Sequence, residues 1–136
     1  MDLEQAREFM RTNHRGVLAA RAPGDHIHQS PILVTVDGDG RAIISSRETA
    51  YKVRYLRRDP WVQLCVFTDA FFGGWIFVEG SADVLSLPEA MDPLIDYYKR
   101  FPDDNPPWDE YRERMRREKR VLIRITLDRA GPDKQG

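Results

Sequence analysis

The residues best suited to chemistry lie in one run, Ile43 to Pro60. It begins as an apolar strand and passes into a short basic helix that Pro60 stops. Ser45 followed by Glu48 has the capping-box spacing, so Ser45 or Ser46 can open the helix. A helix start leaves backbone N–H groups unpaired and carries partial positive charge. Lys52 falls in the first turns, with Arg47 before it and Arg54, Arg57 and Arg58 after it. Two hydroxyls, free amides and an ammonium in one place suit a phosphate. The same pattern also describes a plain capped surface helix with solvated arginines.

Other catalytic sets are missing from the sequence. His26 and His28 leave one face of a strand, but no cysteine or paired acidic cluster stands near enough in sequence to complete a zinc set. No nucleophile elbow, P-loop or dinucleotide fingerprint occurs. Asp103-Asp104 and Asp109-Glu110 read as loop solvation and helix N-terminal charge. Cys65, the one cysteine, sits in the apolar run Val62 to Phe67 and is expected to be a buried, reduced thiol. Trp61 is expected in the core. What is left is an anion site beside an aromatic-rich scaffold, which suits chemistry carried by a bound cofactor.

The elements that must position this run read as follows. At 136 residues the chain is expected to be one domain, 1–136, with a core of its own. Its net charge of -1 gives no global field for nucleic acid or membrane. No apolar run approaches a membrane span, and no signal-peptide pattern opens the chain, so a cytoplasmic location is the default. Residues 2–12 form an amphipathic helix, with Leu3, Ala6, Phe9 and Met10 on one face. Strands are expected at 16–22, 27–36, 41–46, 61–68, 75–87 and 120–127. Asp37-Gly38-Asp39-Gly40 makes a hairpin, residues 69–73 a loop, and Gly80 a bulge inside its strand. Helices are expected at 89–100, burying Met91, Leu94, Ile95 and Tyr98, and at 108–117. On the last strand Val121, Ile123 and Ile125 share one face. Residues 129–136 read as a frayed tail. Six short strands with few helices argue for a mainly β (α+β) chain, a small antiparallel barrel with peripheral helices. The strand order does not follow from this.

Taken in order, Gly16-Val17-Leu18-Ala19-Ala20, Ile43 to Ser46, Lys52-Val53-Arg54-Tyr55-Leu56-Arg57-Arg58-Asp59-Pro60, Gly74-Trp75 and Val78-Glu79-Gly80-Ser81-Ala82 resemble the flavin/deazaflavin split β-barrel superfamily, which includes the pyridoxamine-phosphate oxidases. Trp108-Asp109-Glu110-Tyr111, Met115 and Arg120 to Ile125 resemble its coenzyme F420-dependent oxidoreductases of group B. The run from Lys52 to Pro60 is the most specific piece. The resemblance implies a homodimer of six-stranded split barrels with the cofactor in a groove at the interface. It implies a phosphate on Lys52, Ser45, Ser46 and the strand-to-helix turn. It places Ser30 and Pro31 beside the ring, with Gly74, Trp75 and Ile76 touching the cofactor from the same subunit or the second. Ala50 stands where relatives often carry an arginine, and Arg47 is the candidate substitute. Tyr55 stands where they tend to have asparagine, and Asp25-His26-Ile27-His28 replaces their Gly-Arg-Pro.

The function so implied is an F420-dependent oxidoreductase acting on a small organic substrate. The protein would hold the ring and polarise the acceptor, with water, a tyrosine or a histidine supplying the proton. The alternatives are an FMN-dependent oxidase or reductase on the same barrel and a flavin- or deazaflavin-binding protein without turnover. The arginines at 54–58 lean toward F420, whose acidic tail FMN lacks.

Overall fold

Apolar residues at every second position of six segments turn one side chain in two toward a common interior. The computed structural model describes residues 1–70 and 72–134. Its elements are α1 (Leu3–Thr12), β1 (Arg15–Ala22), β2 (His26–Val36), β3 (Ala42–Arg47), α2 (Tyr51–Arg58), β4 (Trp61–Phe67), β5 (Trp75–Leu85), α3 (Met91–Lys99), α4 (Trp108–Arg117) and β6 (Arg120–Gly131). The strands close a barrel in the order β1-β2-β3-β6-β5-β4, every pair antiparallel. The architecture is mainly β, with peripheral helices, as the alternation predicts.

Inside the barrel, Leu18, Val34, Ile44, Leu64, Val78, Ile123 and Ile125 are all buried, and α1 and α2 add Ala6, Met10, Val53 and Leu56 to the same core. A second apolar cluster lies outside the barrel. There α3 and α4 bring Leu94, Ile95, Tyr97, Tyr111 and Met115 against Ile43 and Leu122, outward-facing residues of β3 and β6. Gly80 marks a register shift against β6, and a Cβ there would stand 2.0 Å from the Thr126 carbonyl oxygen. The bulge therefore requires glycine.

Several expectations need correction. Ser45 and Ser46 do not cap a helix: both are inside β3, paired with Leu122 and Val121 of β6. Strand pairing satisfies their backbone, and α2 begins after Ala50, without a side-chain cap. Cys65 is exposed, because Val62, Leu64 and Val66 take the inward positions of β4. Trp61 is only half-buried, with the Arg21 guanidinium over its ring at 4.7 Å. On α3 the more buried tyrosine is Tyr97. The fifth strand ends at Leu85. The last strand runs on to Gly131, where residues 129–131 pair with β5, so the expected tail is part of the sheet that far. Residues 135 and 136 of that tail, and Phe71 of the 69–73 loop, lie outside the described residues.

Candidate anion-binding cleft

Lys52 is the second residue of α2, one turn from the last residues of β3. Its ammonium is half-buried and donates to the Ser30 hydroxyl of β2 at 3.1 Å. Among the described residues it has no carboxylate partner. Desolvation, and then the charge of Arg120, push its pKa below the ordinary lysine value. A cation held half out of water beside another cation is unfavourable until an anion joins it.

Lys52 lines one end of a cleft of about 870 Å³. One wall is β2, through Pro31, Ile32 and Leu33; the floor is the end of β3; the far wall is α3 and α4. Ser45, Ser46, Arg47 and Ala50 line it near Lys52. Ser45 shares the outer face of β3 with Arg47, while Ser46 is nearly fully buried. Arg120, which sequence reasoning missed, enters from the first position of β6, directly opposite Arg47. The Glu118 carboxylate lies between them, 3.0 Å from the Arg120 guanidinium and 3.3 Å from that of Arg47. Burial favours the protonated form of Glu118, but Arg120 and then Arg47 outweigh it and hold the carboxyl below its usual range. The turn carrying Arg47 and the turn carrying Glu118 are tied by the Glu48 N–H, which donates to the Lys119 carbonyl at 2.9 Å. The signal for Arg120 was its place at the head of an alternating strand, which carries no information about what lies opposite.

The remaining arginines of the basic helix have other occupations. Arg57 pairs with Glu48 and donates to Ser86 at 2.6 Å. Arg54 lies over Tyr51 and Arg58 over Tyr55. The aromatic wall is built from hydroxyls already engaged. Tyr97 donates to the Leu33 carbonyl at 2.8 Å and Tyr111 to that of Leu94 at 3.0 Å. Desolvation pushes both phenols up to about 12, so both stay protonated at neutral pH. Their role here is to hold α3 and α4 in place, which leaves them poor proton donors to a substrate.

The structure thus brings Ser30, Pro31, Ser45, Ser46, Arg47 and Lys52 together. It places Gly74, Trp75 and Ile76 elsewhere, at the start of β5 and outside the residues lining the cleft. Ile76 faces the barrel interior at 1% exposure, and Gly74 lies near Phe9 of α1. Gly74 and the half-exposed Trp75 stand at one border of a different surface. This is the outer face of β2, β1, β4 and β5, where Pro31, Val17, Cys65 and Phe77 form one cross-strand row and Leu33, Arg15, Phe67 and Trp75 the next. Neither apolar cluster extends over it.

Compared with known proteins, residues 3–131 match the family of pyridoxamine 5'-phosphate oxidase. The fold is similar to that of a conserved hypothetical protein from Mycobacterium tuberculosis (TM-score 0.77, 22% identity, covering 96% of this chain and 82% of that one). It is also similar to an F420 reductase (TM-score 0.67, 19% identity, 92% and 94%). A putative pyridoxamine 5'-phosphate oxidase from Listeria innocua is alike to the same degree (TM-score 0.67, 17% identity, 95% and 95%).

Proposed function

The chain belongs to the pyridoxamine 5'-phosphate oxidase family, and from that membership we propose that it is an F420-dependent oxidoreductase acting on a small organic substrate. The observation that carries the reading is the half-buried Lys52 ammonium, held by Ser30 and facing Arg120, with no carboxylate of its own among the described residues. The donor set fits a phosphate-bearing cofactor: Lys52, Ser45, the first amides of α2 and the arginines beside them. When bound, F420 would supply hydride to an electron-poor acceptor. Pro31, Ile32 and Leu33 would give its ring an apolar wall. The α3–α4 wall, with Tyr97 and Tyr111 fixed by their carbonyl partners, would exclude water from the opposite side. With those phenols held protonated, the proton would come from solvent or from a group outside this pair.

F420 is preferred over FMN because Arg114 lines the cleft with no carboxylate partner among the described residues, and Arg47 is exposed at its rim. Both suit an acidic tail. The pairing of Arg57 with Glu48 favours the other reading, FMN, since it removes one of the arginines that would receive such a tail. We further propose a homodimer through the outer face of β2, β1, β4 and β5, which would let Gly74 and Trp75 of one protomer approach the cleft of its partner. Titration with each cofactor, read by its own fluorescence, then a screen of electron-poor substrates, tests the proposal. Binding of F420 followed by turnover supports it. FMN copurifying without any response to F420 reverses the order, and cofactor binding without turnover favours the carrier alternative.

A further inference from the structure

We propose that Arg120 is the second cationic ligand of the anion that docks on Lys52, and that the Glu118 carboxylate competes with that anion for Arg120. The inference rests on reading the cleft as a phosphate-bearing cofactor site. Arg47 and Arg120 are cross-strand partners on one face of β3 and β6. Like charges so placed repel, and one carboxylate, Glu118, reaches both. Add Lys52 and the cluster holds two more cations than carboxylates, all lining one cleft. Lys52 and Arg120 are also mounted rigidly with respect to each other. One follows β3 and the other opens β6, and the Glu48 to Lys119 hydrogen bond ties the adjoining turns. Glu118 is different. It stands at the C-terminal cap of α4, outside both strands, so strand pairing does not fix its place. A phosphate or ligand carboxylate offers Arg120 the same oxygen geometry that Glu118 offers.

The sign of one substitution separates this from a purely supporting role. If Glu118 only positions Arg120, removing its charge weakens ligand binding; if it competes, removing its charge tightens binding. The experiment titrates FMN and F420, by their fluorescence, into the parent, Arg120→Gln, Glu118→Gln and the double variant. Inorganic pyrophosphate is run alongside in thermal melts, as a probe with no ring. Arg120→Gln should bind about ten- to a hundredfold more weakly. Glu118→Gln should bind about two- to fivefold more tightly, and that gain should vanish in the double variant. Weaker or unchanged binding by Glu118→Gln overturns the proposal, as does parent-like binding by Arg120→Gln. If Arg120→Gln melts too early to titrate, the sign of Glu118→Gln decides alone. A folded parent that binds none of the three probes sinks the cofactor reading and this inference together. A parent that binds, and loses binding with Lys52→Ala but not with either substitution here, leaves the cofactor reading standing and removes only the inference.

Discussion

Two outer faces of the same barrel have opposite fates. On β3 and β6 the outward residues Ile43 and Leu122 are covered by α3 and α4 and fall to 1% exposure. On β1 and β4 the outward residues Val17, Cys65 and Phe67 have no such cover, and Leu33 nearby on β2 is 52% exposed. The covered face supplies its own second wall, and where that cover ends the strands present Ser45, Arg47 and Arg120 to a cleft. The bare face has apolar rows but no second wall among the described residues. The difference bears on where a ligand can sit: on the α3–α4 side the chain supplies both walls of a cleft, and over β1 and β4 neither apolar cluster supplies a second one.

Substitutions on the two faces should have unequal costs. Leu94→Ala, in the covered cluster, should cost about 2–5 kcal/mol, since Leu94 is fully buried and a cavity would remain. Phe67→Ala on the bare face should change the unfolding free energy of a dilute chain by much less, because Phe67 is already 36% exposed. Denaturant melts of the two variants check this, and equal losses would erase the distinction between the faces. The bare face has its own test in Val17→Asp. The parent should scatter light as a dimer at micromolar concentration and Val17→Asp as a folded monomer; a monomeric parent would remove the proposed interface.

Smaller effects sharpen the covered side. Tyr97→Phe deletes the bond to the Leu33 carbonyl and should cost about 0.5–1.5 kcal/mol in a melt. It should leave the pH profile of any turnover unchanged, since Tyr97 stays protonated up to about 12. A shifted profile would restore Tyr97 as a proton donor. The smallest effect is on stability against pH. Lys52 titrates below the ordinary lysine value when folded, so the unfolded chain binds more protons in that window. Stability of the unliganded chain should therefore rise slightly as pH climbs from the depressed folded pKa toward about 10.4. Anion binding, which needs the ammonium, should weaken over the same range. Lys52→Met should flatten both trends.

How much of this was legible follows from the kind of signal each part leaves. The inward sets at Val62, Leu64 and Val66 or Val121, Ile123 and Ile125 are period-two patterns, and they give strands and faces directly. The same pattern, applied strictly, puts Cys65 outside, where the structure has it; its apolar neighbours misled because a run that is apolar on both faces also describes a buried strand. The serines were misplaced because capping is a local signal, and the pairing of Ser45 and Ser46 with β6, more than 70 residues away in sequence, overrides it. Lys52 stood out in the sequence because it sits in a dense local motif, and the structure places it on the cleft. Arg120 and Glu118 were missed because their relation to Arg47 exists only once β6 lies beside β3. The aromatic wall had the same fate: Tyr97 is buried in the cluster that α3 and α4 form on β3 and β6 and bonds the Leu33 carbonyl of β2, and helical periodicity sees neither.

If Lys52 anchors a ligand anion, Lys52→Ala and Arg57→Ala should differ sharply in cofactor binding. Arg57 is the control because Glu48 already occupies it. F420 and FMN are titrated into both variants and the parent, with thermal melts of each. Lys52→Ala should lose about 1.5–3 kcal/mol of binding, roughly ten- to a hundredfold, while its stability stays within a few tenths of a kcal/mol of the parent. Arg57→Ala should bind close to the parent. Lys52→Ala binding cofactor as tightly as the parent does would contradict the account and leave the cleft without its anchor.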